Sequence, residues 1–134
     1  MEEFYTRSAA NEGRTLPLYL PNGTKSEHSF VVRGVDSDEF RTTENKVKRR
    51  AIDIAQMETE EERLEAINDS ERECIASLII SWTFDMECTT ENKVSFLREA
   101  PQIADAINRF SAKRTEFLSK KSGSSAAGSE AKET

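Results

Sequence analysis

A chain of 134 residues with 33% charged residues and a formal net charge of −6 has room for one modest domain, and its mild, scattered acidity gives no support to nucleic-acid binding. Two cysteines, Cys74 and Cys88, stand outside any C-x-x-C or Cys/His cluster, which argues against a zinc site and reads as two reduced, buried thiols of a cytoplasmic protein. The acidic start Met1-Glu2-Glu3, with no apolar run behind it, is unlike a secretory leader.

Residues 1–14 are polar and mixed, with Phe4 and Tyr5 as the only apolar anchors, and read as a loose arm. Residues 15–35 read as a β-hairpin. Thr15–Leu20 leads into Pro21-Asn22-Gly23, a strong turn signal, and Ser29–Gly34 returns as a β-branched and aromatic arm. Pro17 has no N–H to give a ladder, so the first arm is expected at a sheet edge. A two-stranded hairpin is not stable alone, so it must lie on the helices or pair with another chain.

Asp36 as N-cap with Glu39 three residues on opens a helix expected over about 37–57, with Phe40, Val47, Ile54 and Ala51 on its inner face. Lys46, Lys48, Arg49 and Arg50 form a basic cluster on it. That cluster reads either as a phosphate-binding face or as a solvated face paired to acids elsewhere. Thr59 with Glu62 forms a capping box for a short helix, 60–67, with Leu64 inward. Asn68 with Glu71 forms another, launching 69–84.

The stretch Ser70–Phe84 is the most apolar in the chain. Ile75, Leu78, Ile79 and Trp82 fall at i, i+3, i+4 and i+7, one helix face. It is too short and too charged at its start to span a bilayer. Thr90 caps a helix over 91–99, and Pro101 starts a final one over 101–118 carrying Ile103, Ile107, Phe110 and Phe117. Residues 119–134 are rich in Ser, Gly and Ala and read as a disordered tail.

The expected fold is therefore α+β and mainly helical: an N-terminal β-hairpin, then a bundle of four to five helices, in a single domain over 15–118. The hexamer Thr-Thr-Glu-Asn-Lys-Val occurs at 42–47 and 89–94, but the flanks differ, and coincidence explains it better than a repeated unit.

No G-x-S-x-G, P-loop or G-x-G-x-x-G is present, and His28 is the single histidine. The acid pairs Asp36/Asp38 and Glu60/Glu62 are accounted for by helix starts. Asp53 and Asp85, among apolar neighbours, read as rim or cap residues. Neither catalysis, a cofactor, a metal nor a membrane is indicated, and the residues point to a binding protein.

The order of features resembles the small tail assembly chaperones of bacteriophages with long, non-contractile tails. Residues 33–41 (RGVDSDEFR) are similar to that family's turn before a charged helix. Ile79-Ile80-Ser81-Trp82 is similar to its Ile-x-x-Trp motif, and Glu91-Asn92-Lys93-Val94 with Ala100-Pro101-Gln102-Ile103 to the segment and proline-started helix that follow. The segment after the tryptophan, Thr83-Phe84-Asp85, keeps the family pattern only loosely.

The resemblance implies a non-enzymatic protein that coats the tape-measure protein in the host cytoplasm and leaves before the virion matures. It also implies a longer product, made by frameshifting, that recruits the tail tube protein, with Lys120-Lys121 compatible with a slippery codon run. A chaperone of this kind needs a groove for an amphipathic segment and several copies in a row. Trp82, Phe84, Met86, Phe96 and Leu97, gathered around one connector, are the residues expected to line that groove. The alternatives are a structural head–tail joining or tail-terminator component of the virion, and a nucleic-acid-binding regulator using Lys46 to Arg50.

Overall fold

The computed structural model describes residues 1–118, so the expected tail at 119–134 lies outside the described residues. The fold is α+β, with one three-stranded antiparallel sheet and helices before, between and after its strands. None of the helices described is long and apolar enough to cross a membrane.

Strands β1 (Arg14–Tyr19) and β2 (Lys25–Val32) form the hairpin. Its turn uses Gly23 at φ +96°, a value open to glycine, and Thr24 donates to Asn22 Oδ1 through both its N–H (3.0 Å) and its Oγ1 (2.7 Å). β1 lies at the edge of the sheet, in keeping with Pro17.

The third strand corrects the sequence reading. Ser70–Phe84 is not one helix. Residues 60–76 form a single helix, α4 (Glu60–Ala76), and Ile79–Trp82 form β3, antiparallel to β2 with Phe30 opposite Trp82 and Val31 opposite Ser81. The apolar spacing fits a helix face, but so does a short buried strand of β-branched and aromatic residues, and periodicity cannot separate the two over four residues. Pairing decides it: β2 is missing a neighbour on its second side, and Arg33 locks the approach by donating from its N–H to Leu78 O (2.6 Å) and from Nη1 to Ser77 O (2.8 Å).

Helix boundaries move for similar local reasons. α2 (Asp38–Arg49) is capped by the buried Ser37, whose Oγ accepts from Phe40 N, in place of Asp36. It breaks at Arg50, and a short α3 (Ala51–Ala55) follows, so no single helix reaches Met57. Thr59 and Glu62 do form the reciprocal capping box of α4, whereas Asn68 and Glu71 lie within that helix. Leu64, expected inward, is 57% exposed, because the side of α4 that meets its neighbours carries Ala66, Ser70 and Glu73.

α5 (Thr90–Glu99) is capped by Thr89 rather than Thr90. Pro101 stands at the first position of α6 (Pro101–Ser111), as its fixed φ and missing N–H favour. A turn after Ser111 separates α6 from α7 (Arg114–Leu118), so the stretch 101–118 is two helices.

The core lies between the inner face of the sheet and helices α4 to α6. Phe30, Val32, Leu78, Ile79, Leu97 and Ile107 are its largest buried apolar side chains. The N-terminal arm is not loose. Its helix α1 (Arg7–Glu12) buries Ala9 and Ala10, Gly34 N donates to Ala10 O (3.0 Å), and Arg7 reaches Asp38 at 2.6 Å. α7 closes the same corner. Arg114 grips Asp36 through two bonds (2.6 and 2.9 Å), and the buried Phe117 packs on Phe110.

Candidate functional site

Side chains two apart on a strand share a face. Trp82 and, just beyond β3, Phe84 therefore turn to the side of the sheet that carries His28 and Phe30 of β2. α5 adds Phe96 from above. The result is a stack of rings. Phe30, with no exposed surface, is its base, with centroids 5.8 Å from Trp82, 5.7 Å from Phe84 and 5.8 Å from Phe96. The upper three rings are half-buried and touch one another: Trp82–Phe84 at 5.3 Å, Phe84–Phe96 at 5.1 Å and Trp82–Phe96 at 6.0 Å. His28 lies against Phe84 at 4.7 Å. Edge-on and tilted pairings of this kind suit the ring quadrupoles and hold each ring in place.

Polar bonds fix the connector 83–89 over this stack. Ser29 N donates to Thr83 Oγ1 (3.1 Å), and the same hydroxyl is hydrogen-bonded to His28 Nδ1 (2.8 Å). Trp82 Nε1 donates to Met86 O (2.7 Å), and Asn92 Nδ2 to Glu87 O (2.8 Å). Lys93 reaches under the connector to donate to Ile79 O at 2.7 Å, and its burial pushes the ammonium pKa down. Burial likewise pushes the nearby Cys88 thiol up, with Lys93 opposing in part. Above these bonds Met86 stands 59% exposed, a flexible thioether on a rigid support. Asp85 and Glu87 flank it in sequence, and Glu91 follows in the first turn of α5. All three are exposed, and none forms an ion pair among the described residues.

Of the five residues singled out in the sequence, Trp82, Phe84 and Phe96 come together, and Met86, exposed, is tied to Trp82 through its backbone carbonyl. Leu97 does not belong. It is 1% exposed and sits in the core, because its place on α5 is turned about 100° from that of Phe96. Two members of the stack, His28 and Phe30, escaped sequence reasoning. Their signal is the alternation His28, Phe30, Val32 on one strand face, which becomes informative only once β3 is known to be a strand.

The other candidates lie elsewhere. In the basic cluster, Arg50 forms a two-pronged pair with Glu73 (2.7 and 3.2 Å) and Lys46 approaches the same carboxylate (3.7 Å), while Lys48 and Arg49 face solvent. Arg50 holds the Glu73 carboxyl below its usual range. Asp53, like Asp85, is exposed. The two copies of the hexamer do different work: Lys46 pairs with Glu73, and Lys93 bonds to Ile79. Cys74 and Cys88 are free thiols, half-buried. Among the described residues no three His, Cys, Asp or Glu side chains converge as a metal site would require. The ring stack offers an apolar face with a methionine and an acidic border, which suits binding of an apolar segment. Comparison with models of known families, with characterised proteins and with solved structures finds no match to this chain.

Proposed function

We propose that this chain is a tail assembly chaperone of a bacteriophage with a long, non-contractile tail. It holds apolar helical segments of the tape-measure protein until the tail tube polymerises around them. The reading rests on the resemblance of residues 33–41, 79–82, 91–94 and 100–103 to that family. The observation that carries it is the ring stack of Trp82, Phe84 and Phe96 with Met86 above it.

An extended apolar helix needs a partner surface that is rigid beneath and adaptable on top. Phe30 and the bonds of the connector supply the rigidity, and Met86 the adaptability. The protein acts by binding, not by catalysis, in the cytoplasm of the infected host. Several copies side by side serve one tape-measure chain. A longer frameshifted form, branching at the codons for Lys120 and Lys121 outside the described residues, recruits the tail tube protein.

Quantitative mass spectrometry of infected cells and of purified particles tests the assignment. Abundance in the lysate with loss from the particles is the expected result. Stoichiometric retention in particles overturns it and favours a head–tail joining or tail-terminator component.

A further inference from the structure

The acids beside the ring stack, Asp85, Glu87 and Glu91, adjoin an apolar patch with no basic residue in their own segment. Some carboxylates elsewhere are matched, Asp36 with Arg114 and Arg41, Asp38 with Arg7, Asp69 with Arg98 and Arg72, Glu73 with Arg50 and Lys46, and others, such as Asp53, Glu58 and Glu65, are exposed and form no ion pair among the described residues. The connector and first turn of α5, residues 83–92, carry Asp85, Glu87 and Glu91 and no basic residue. The one cation beside them in sequence, Lys93, is half-buried, donates to Ile79 O and forms no ion pair with them. An apolar patch of Trp82, Phe84 and Met86 is thus flanked along the chain by three exposed carboxylates that form no ion pair among the described residues.

We propose that the segment docking on this face is a cationic amphipathic helix, with an apolar stripe that lies on Trp82, Phe84 and Met86 and with lysines or arginines flanking the stripe that meet Asp85, Glu87 and Glu91. This rests on the reading of the ring stack as a docking surface and specifies the chemistry of the partner. Exposed opposite charges speed encounter and select the partner, while the apolar contact supplies most of the affinity. The stacked rings add a second attraction for cations, since a guanidinium or ammonium is drawn to an aromatic face. Segments of equal hydropathy bearing glutamates at the same places are repelled.

Trp82 is the single tryptophan of the chain and reports on its own site. The probes are two synthetic helices of about 20 residues without tryptophan, sharing one leucine stripe. One is flanked by Lys and Arg, the other by Glu. Each is titrated into the full chain while Trp82 emission is followed.

The cationic peptide is expected to shift the emission saturably, with Kd rising about tenfold between about 0.05 and about 0.5 M salt. The variant Asp85→Lys, Glu87→Lys, Glu91→Lys raises that Kd about tenfold, as expected for three exposed pairs. A control with the same change in net charge, Asp53→Lys, Glu58→Lys, Glu65→Lys, sits on α3, the loop after it and the N-terminal half of α4, and leaves Kd within about twofold. Far-UV circular dichroism checks that both variants fold, and the salt series on the unaltered chain stands without them.

If the Glu-flanked peptide binds as tightly, or the control weakens binding as much as the site variant, the inferred partner charge is wrong and the docking surface stands. If neither peptide moves the Trp82 emission, the docking surface itself is wrong.

Discussion

Replacing Phe30 by alanine removes a ring with no exposed surface that touches Trp82, Phe84 and Phe96 at once. Truncating a buried phenylalanine costs about 3–5 kcal/mol, more where the surroundings cannot close on the cavity. They cannot here, since Phe30 lies in the middle strand, paired to Leu16 on one side and Trp82 on the other. A loss of about 4 kcal/mol is therefore expected, a large part of the total of about 5–15 kcal/mol that a domain of this kind has. Tm should fall by about 15 °C. Phe84→Ala touches the same stack but removes a half-exposed ring, and should cost about 1–2 kcal/mol. Urea and thermal unfolding, followed by far-UV circular dichroism and Trp82 emission, measure both. A cost below about 2 kcal/mol for Phe30→Ala, or equal costs for the two variants, refutes the division of the stack into a core base and a surface layer.

Three further outcomes follow from the geometry. Gly13→Ala should cost more than Gly23→Ala in the same unfolding assay. Both sit at positive φ, but a Cβ at Gly13 meets Ile80 Cδ1 at 2.7 Å and Val32 O at 3.0 Å, whereas Gly23 has nothing within 4 Å; equal costs contradict the packing of α1's end on the sheet. Ser37→Ala should lose about 1 kcal/mol through the cap of α2, and an unchanged urea midpoint denies Ser37 that role. Hydrogen bonds from Arg114 to Asp36, from Arg98 to Asp69 and from Arg50 to Glu73 hold these carboxyls below their usual range. Each then binds fewer protons folded than unfolded, so its contribution is full above about pH 4 and is lost as pH falls through the depressed folded values. Asp36→Asn should lower the urea midpoint at neutral pH and flatten its decline in acid; parallel pH curves for variant and parent count against the Arg114 clamp.

The hairpin, the edge position set by Pro17, the Thr59–Glu62 capping box and the Pro101 helix start were all legible in the sequence, because each depends on a few adjacent residues and one backbone constraint. β3 was not. Its identity depends on β2, some fifty residues away, and a four-residue apolar run carries no period of its own. That misreading hid Phe30 and His28 from the candidate site, since neither approaches Trp82 or Phe84 unless β3 pairs with β2. Leu97 and Phe96, neighbours in sequence, part company in the fold, because one residue along α5 turns the side chain about 100°. α1 went unseen because its only apolar contribution is Ala9 and Ala10, small residues that gain from a close approach to Gly34 rather than from hydrophobic bulk.

In the proposed function, the face of Trp82, Phe84 and Met86 receives an apolar helix of the tape-measure protein. Co-expression of the full chain with the tape-measure protein of the same phage tests it most directly, reading the fraction of tape-measure protein that stays soluble and copurifies. A soluble complex is expected with the unaltered chain, and loss of the tape-measure protein to the pellet with a folded Phe84→Ala, Met86→Ala variant. A tape-measure protein that is insoluble with the unaltered chain, or that stays soluble with the variant, contradicts it.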